Sequence, residues 1–93
     1  MRLKHKDIQH IKDVVKEYDP DAQIYLFGSR ADDTKKGGDI DLLIFSDFLS
    51  EHDKRGIRLC LYDRLGEQKI DIIIARDLTR PFIRMAYEEG VAL

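Results

Sequence analysis

The chain has 93 residues, with 16 Lys+Arg against 18 Asp+Glu and a formal net charge of -2, which excludes the basic excess of a typical nucleic-acid-binding surface. Hydrophobic residues make up 43% and charged residues 37%, and no apolar run approaches the roughly 20 residues of a membrane span. One domain over 1–93 with one modest core is expected, since a chain of this size buries roughly two-thirds of its unfolded surface.

The opening Met1-Arg2-Leu3-Lys4-His5-Lys6 is basic but has no apolar stretch behind it, so it does not read as a signal peptide. Residues from about Lys6 to Tyr18 read as a helix, with Ile8, Ile11, Val14, Val15 and Tyr18 at three- and four-residue spacing. Asp19-Pro20-Asp21 stops it, because proline cannot continue a helix. Ala22 to Phe27 is a first strand, broken by Gly28. Ser29 to Lys36 is polar, and Ser29 can cap a turn or two of helix. Gly37-Gly38 allows a sharp return. Asp39 to Phe45 is a second strand, nearly continuous in apolar residues apart from its two aspartates, which argues for burial on both faces.

Ser50 followed by Asp53 resembles a capping box, and a second helix runs from about Glu51 to Leu65. Ile57, Leu61 and Leu65 share its apolar face with Cys60 beside them, and Gly66 closes it. Lys69 to Ala75 is a third strand with one charge, Asp71. Thr79, with Pro81 just inside, marks a third helix to about Glu89 whose apolar face is Phe82, Met85 and Ala86. Gly90-Val91-Ala92-Leu93 can add one more strand. The order is that of a compact α/β (α+β) domain, a small β-sheet flanked by helices.

Three carboxylates, Asp39, Asp41 and Asp71, sit in strands that otherwise read as core. Alternation places Asp39 and Asp41 on one face, where two carboxylates repel each other. A divalent cation relieves that repulsion, and hard oxygen ligands suit Mg²⁺ or Mn²⁺. Gly28-Ser29 offers backbone N–H groups and a hydroxyl suited to a phosphate. Metal plus phosphate points to nucleotide chemistry. His5, His10 and His52 show no zinc spacing and read as surface residues. Cys60, the only cysteine, reads as a small core residue. It allows no intrachain disulfide, which fits a reducing cytoplasm.

Gly28-Ser29, nine residues, Asp39-Ile40-Asp41 and a later strand Asp71 together resemble the nucleotidyltransferase superfamily typified by DNA polymerase beta and kanamycin nucleotidyltransferase. Length and texture, in Leu26-Phe27-Gly28-Ser29-Arg30 and Gly38-Asp39-Ile40-Asp41-Leu42-Leu43, are similar to the minimal nucleotidyltransferases that partner HEPN-domain proteins in toxin–antitoxin pairs. The resemblance implies that Gly28 and Ser29 hold the β- and γ-phosphates of a nucleoside triphosphate. Arg30 fits as a further phosphate ligand or stabiliser of transition-state charge, and equally as a solvated loop arginine or one bridged to Asp32 or Asp33. The resemblance also implies that Asp39 and Asp41 bind two Mg²⁺ ions, and that Asp71 ligates the catalytic metal and helps deprotonate the attacking hydroxyl. AMP would then pass from ATP to a hydroxyl of a HEPN-domain toxin and silence it. Asp32 and Asp33 stand where many members have Arg-Gly, with Lys35 and Lys36 as potential compensation. Two alternatives remain open: transfer to a small molecule bound by a partner subunit, and a binding module that neutralises its partner by complex formation alone.

Overall fold

The computed structural model describes residues 1–32, 34, 38–66 and 68–93. Asp33, Lys35, Lys36 and Gly37, all part of the expected loop readings, lie outside the described residues.

Helix α1 spans His5–Tyr18 and buries Ile11, Val14 and Val15, the positions its spacing marks as one stripe. Asp19 caps its end, donating its backbone N–H to Val15 O. Asp19 is also one of the buried polar residues, and its carboxylate accepts from Ser46 Oγ at 2.6 Å and from Asp21 N at 2.9 Å. Strand β1 follows at Gln23–Phe27, then a short 3₁₀ turn at Gly28–Ala31. Strand β2 spans Ile40–Phe45, so Asp39 stands one residue before it rather than within it.

Helix α2, Glu51–Leu65, opens on a complete capping box. Asp53 N donates to Ser50 Oγ at 3.2 Å and Ser50 N donates to Asp53 Oδ2 at 2.9 Å. Its buried face is Ile57 and Leu61, while Leu65 and Cys60 are half-buried and pack at the edge of the core. Gly66 ends it with φ +84, in the left-handed region that favours glycine. Strand β3 spans Ile70–Ala75, helix α3 Pro81–Glu89 and strand β4 Val91–Ala92.

The four strands form one mixed sheet in the order β3-β2-β1-β4. β1 pairs antiparallel with β2 and with β4, and β2 pairs parallel with β3. Alternation then sorts the strand residues. Ile24, Leu26, Ile40, Leu42, Ile44, Ile70 and Ile72 face α1 and α2 in the larger core. Tyr25, Phe27, Leu43, Phe45, Ile73 and Ala75 lie on the other face, where α3 brings Ile83 and Ala86. Asp41 and Asp71, by the same alternation, belong to the α3 face.

Two expectations about α3 are corrected. Its buried stripe is Ile83 and Ala86, whereas Phe82 and Met85 are 51% and 38% exposed. The stripe is set by where the helix axis lies on the sheet, and a one-residue shift rotates the contact face by about 100°. Phe82 reaches the sheet only sideways, edge-on to Phe27 at 6.1 Å between ring centroids. Thr79 does not cap α3 either. It bonds through N and Oγ to Asp77 Oδ1, and the cap position falls to Arg80.

Candidate active site

The site is built where the end of β1 meets the starts of β2 and β3. In the antiparallel ladder Phe27 pairs with Asp41. The next residue, Gly28, takes φ +75 and turns the chain into the 3₁₀ segment. A methyl group at Gly28 would overlap Asp41 Oδ2. Glycine is needed here twice, for the left-handed backbone and for the closeness of that carboxylate. The Gly28 turn and the Asp41 carboxylate are therefore close neighbours.

In the parallel ladder Asp41 pairs with Asp71 and Ile40 with Ile70. The two carboxylates lie side by side on neighbouring strands, with Asp39 close enough that Lys69 Nζ approaches both Asp39 and Asp71. Burial first, then the negative charges of Asp71 and Asp39, hold the Asp41 carboxyl above the ordinary carboxylate value, with Lys69 acting in the opposite direction. Asp39 and Asp71 are half-exposed, which corrects the expectation of strand carboxylates within the core. Among the described elements α3 is the one that covers this face, and the acids stand clear of its buried stripe.

Lys69 is a site residue that the spacing of carboxylates and glycines does not reveal. Its Nζ stands 3.5 Å from Asp39 Oδ2 and 4.0 Å from Asp71 Oδ2. The available signal is the parallel between Asp39-Ile40-Asp41 and Lys69-Ile70-Asp71, which acquires meaning only once the two segments are paired.

Ser29 is half-buried in the turn and its carbonyl accepts from Arg2 Nη2 at 3.2 Å. Arg30 is drawn into the frame of the site. Its guanidinium donates to Arg2 O at 3.2 Å, to Gly38 O at 3.0 Å and to Gln68 Oε1 at 3.1 Å. Gly38 directly precedes Asp39, and Gln68 directly precedes Lys69. One planar side chain thus ties the turn to both segments that deliver acids to the site.

The family model for a nucleotidyltransferase domain matches residues 8–93. The chain belongs to this nucleotidyltransferase domain family. No curated protein matches the chain. Family membership brings nucleotidyl transfer as the general activity and a nucleoside triphosphate as substrate, and the small mixed sheet with three helices is consistent with the nucleotidyltransferase fold.

Members of the nucleotidyltransferase family typically use a divalent metal. Among the described residues, no three carboxylate, imidazole or thiol side chains are drawn together tightly enough to hold a metal ion as they stand. The donor chemistry nevertheless fits one. Three carboxylates stand at the starts of β2 and β3, and the ammonium of Lys69 already stands between two of them as a cation would. Oxygen-only donors of this kind suit a hard divalent ion. His5 and His52 are exposed, and His10 is half-buried.

A separate cleft of about 470 Å³ opens between Phe45, Ser46, Arg76 and Tyr87. It lies past the other end of β2, roughly 13 Å along the strand from Asp41, and has no part in this site. Among the described residues, no helix is long and apolar enough to cross a membrane.

Proposed function

We propose that residues 1–93 act as one minimal nucleotidyltransferase domain that transfers AMP from ATP to a hydroxyl of a partner protein. The resemblance to minimal nucleotidyltransferases makes a HEPN-domain toxin the partner, silenced by adenylylation in the cytoplasm. The single observation that carries the catalytic reading is the juxtaposition of Gly28, Asp41 and Asp71, brought together by one antiparallel and one parallel register.

In this reading Gly28 and Ser29 bind the β- and γ-phosphates through backbone N–H groups and the Ser29 hydroxyl. Arg30 supports that turn, its guanidinium engaged with oxygens of three other residues. Asp39, Asp41 and Asp71 would hold divalent ions, two Mg²⁺ in the family's scheme, which supply charge neutralisation and activation at the phosphate. Asp71, half-exposed at the mouth of the site, takes part in removing the proton of the attacking hydroxyl. A bond forms from that oxygen to the α-phosphorus, the α–β bridging bond breaks, and pyrophosphate leaves.

The test works with the acceptor still unidentified. Wild type and Asp39→Asn are incubated with Mg²⁺, α-labelled ATP and lysate of the source cells. One labelled protein band with wild type alone supports protein nucleotidylation and isolates the acceptor. Label in a small molecule replaces the protein acceptor with a metabolite or antibiotic. No label despite good Mg-ATP binding favours neutralisation by complex formation.

A further inference from the structure

The carboxylate cluster carries its own positive charge. Lys69 precedes β3 by one residue, and its carbonyl accepts from Ile40 N at 2.9 Å, so its backbone is pinned to the start of β2. Its side chain, 68% exposed, is not held by packing. What positions the ammonium is charge: 3.5 Å to Asp39 Oδ2 on one side and 4.0 Å to Asp71 Oδ2 on the other. Because Ile40 pairs with Ile70 and Asp41 with Asp71, Asp39 and Lys69 stand beside each other just before the two strands. The result is a block of three carboxylates and one ammonium at the starts of two adjacent strands.

We propose that Lys69 is a tethered counter-ion that bridges Asp39 and Asp71 in the metal-free protein and competes with the divalent cation, setting the Mg²⁺ concentration at which the site fills. The inference rests on the metal-binding reading given above. A tethered ammonium cannot diffuse away, so these carboxylates are not left facing each other bare when the metal is absent. A divalent ion displaces it because it carries twice the charge and takes several oxygens at once. Lys69 then swings into solvent, which its exposure permits. It is a positioning residue, not a catalytic one.

The test is Lys69→Met, which removes the charge and keeps most of the stem, with Lys69→Gln as a second, more soluble variant. Mg²⁺ is titrated against the melting temperature, and Mn²⁺ binding is measured directly by electron paramagnetic resonance. The expected result is a lower metal-free melting temperature together with a half-saturating Mg²⁺ concentration about 3- to 10-fold below wild type, the scale of one partly screened charge a few ångströms away. Lys69→Arg keeps wild-type behaviour. Lys6→Met, which removes one charge from the exposed start of α1 on the other face of the sheet, leaves metal affinity unchanged. Metal binding by both neutral Lys69 variants at or below wild-type affinity overturns the counter-ion role while leaving the metal site standing. The absence of any Mg²⁺ or Mn²⁺ binding in wild type and variants alike overturns the metal reading, and the inference with it.

Discussion

Asp41 and Asp71 occupy the same level of two adjacent parallel strands, and the Asp41 carboxylate is in addition pressed against the backbone of Gly28. Like charges at that spacing destabilise the fold unless something neutralises them.

Asp41→Asn is expected to raise the melting temperature of the metal-free protein while abolishing transfer and the Mg²⁺ response. The folded Asp41 carboxyl lies above its ordinary value, mainly through burial. A carboxyl shifted in that direction favours the folded state only while protonated. Its contribution is fully present below the unfolded value and is lost as pH rises through the folded one. Metal-free wild type should therefore lose stability as pH climbs out of the acid range, and Asp41→Asn should flatten that slope. Because the Asp41 side chain is only partly buried and solvent still screens its charge, the gain at neutral pH is about 1 kcal/mol or less. Melting curves across pH with a chelator present make the comparison. A variant less stable than wild type at neutral pH would count against a repulsive cluster.

Mg²⁺ at millimolar concentration should raise the wild-type melting temperature, since a ligand that binds only the folded state stabilises it. The response should vanish in Asp39→Asn. A flat wild-type response in a thermal-shift titration would remove the metal from the site.

Gly28→Ala combines a left-handed backbone with a methyl group set against Asp41 Oδ2. A loss of about 1–3 kcal/mol is expected from the backbone alone, together with loss of transfer. Combining it with Asp41→Ala should recover the steric part and leave the backbone part, giving a non-additive double-mutant cycle in urea denaturation. Full additivity would mean that the two residues are not in contact.

Arg30→Ala removes three hydrogen bonds that join the 3₁₀ turn to Arg2, Gly38 and Gln68. Stability should fall by about 2–4 kcal/mol, at roughly 1 kcal/mol or more per bond, and the Mg²⁺ midpoint should rise because the segments entering Asp39 and Asp71 lose their tie. Arg30→Lys should rescue little, as one ammonium cannot reproduce a planar fork. Chemical denaturation alongside Mg²⁺ titration separates the two effects.

Ser50→Ala removes the side-chain acceptor at the start of α2. The expected cost is about 1 kcal/mol, read as an earlier unfolding midpoint, with transfer unchanged below the melting transition. A loss of activity in the still-folded variant would place α2 in the chemistry.

The sequence was most legible where structure depends on neighbours along the chain. The stripe Ile11, Val14 and Val15, the Ser50–Asp53 box and the strand Ile40–Phe45 all follow from spacing of a few residues. Phe82 shows where such reading fails. It is apolar and reads as part of the buried face, but the sheet meets the stripe of Ile83 and Ala86, three residues apart, and leaves Phe82 at the flank.

By itself the chain determined its helices, its strands and its Gly-Ser turn, because those depend on local backbone preference and short-period hydrophobicity. Tertiary structure alone decided that β2 and β3 pair in parallel with Asp41 level with Asp71, that Gly28 lies against that carboxylate, and that Lys69 stands between Asp39 and Asp71. Register between strands separated by a whole helix is set by the combined packing of two sheet faces. A slip of one residue would send every side chain of a strand to the opposite face, dismantling the site while leaving each local signal intact.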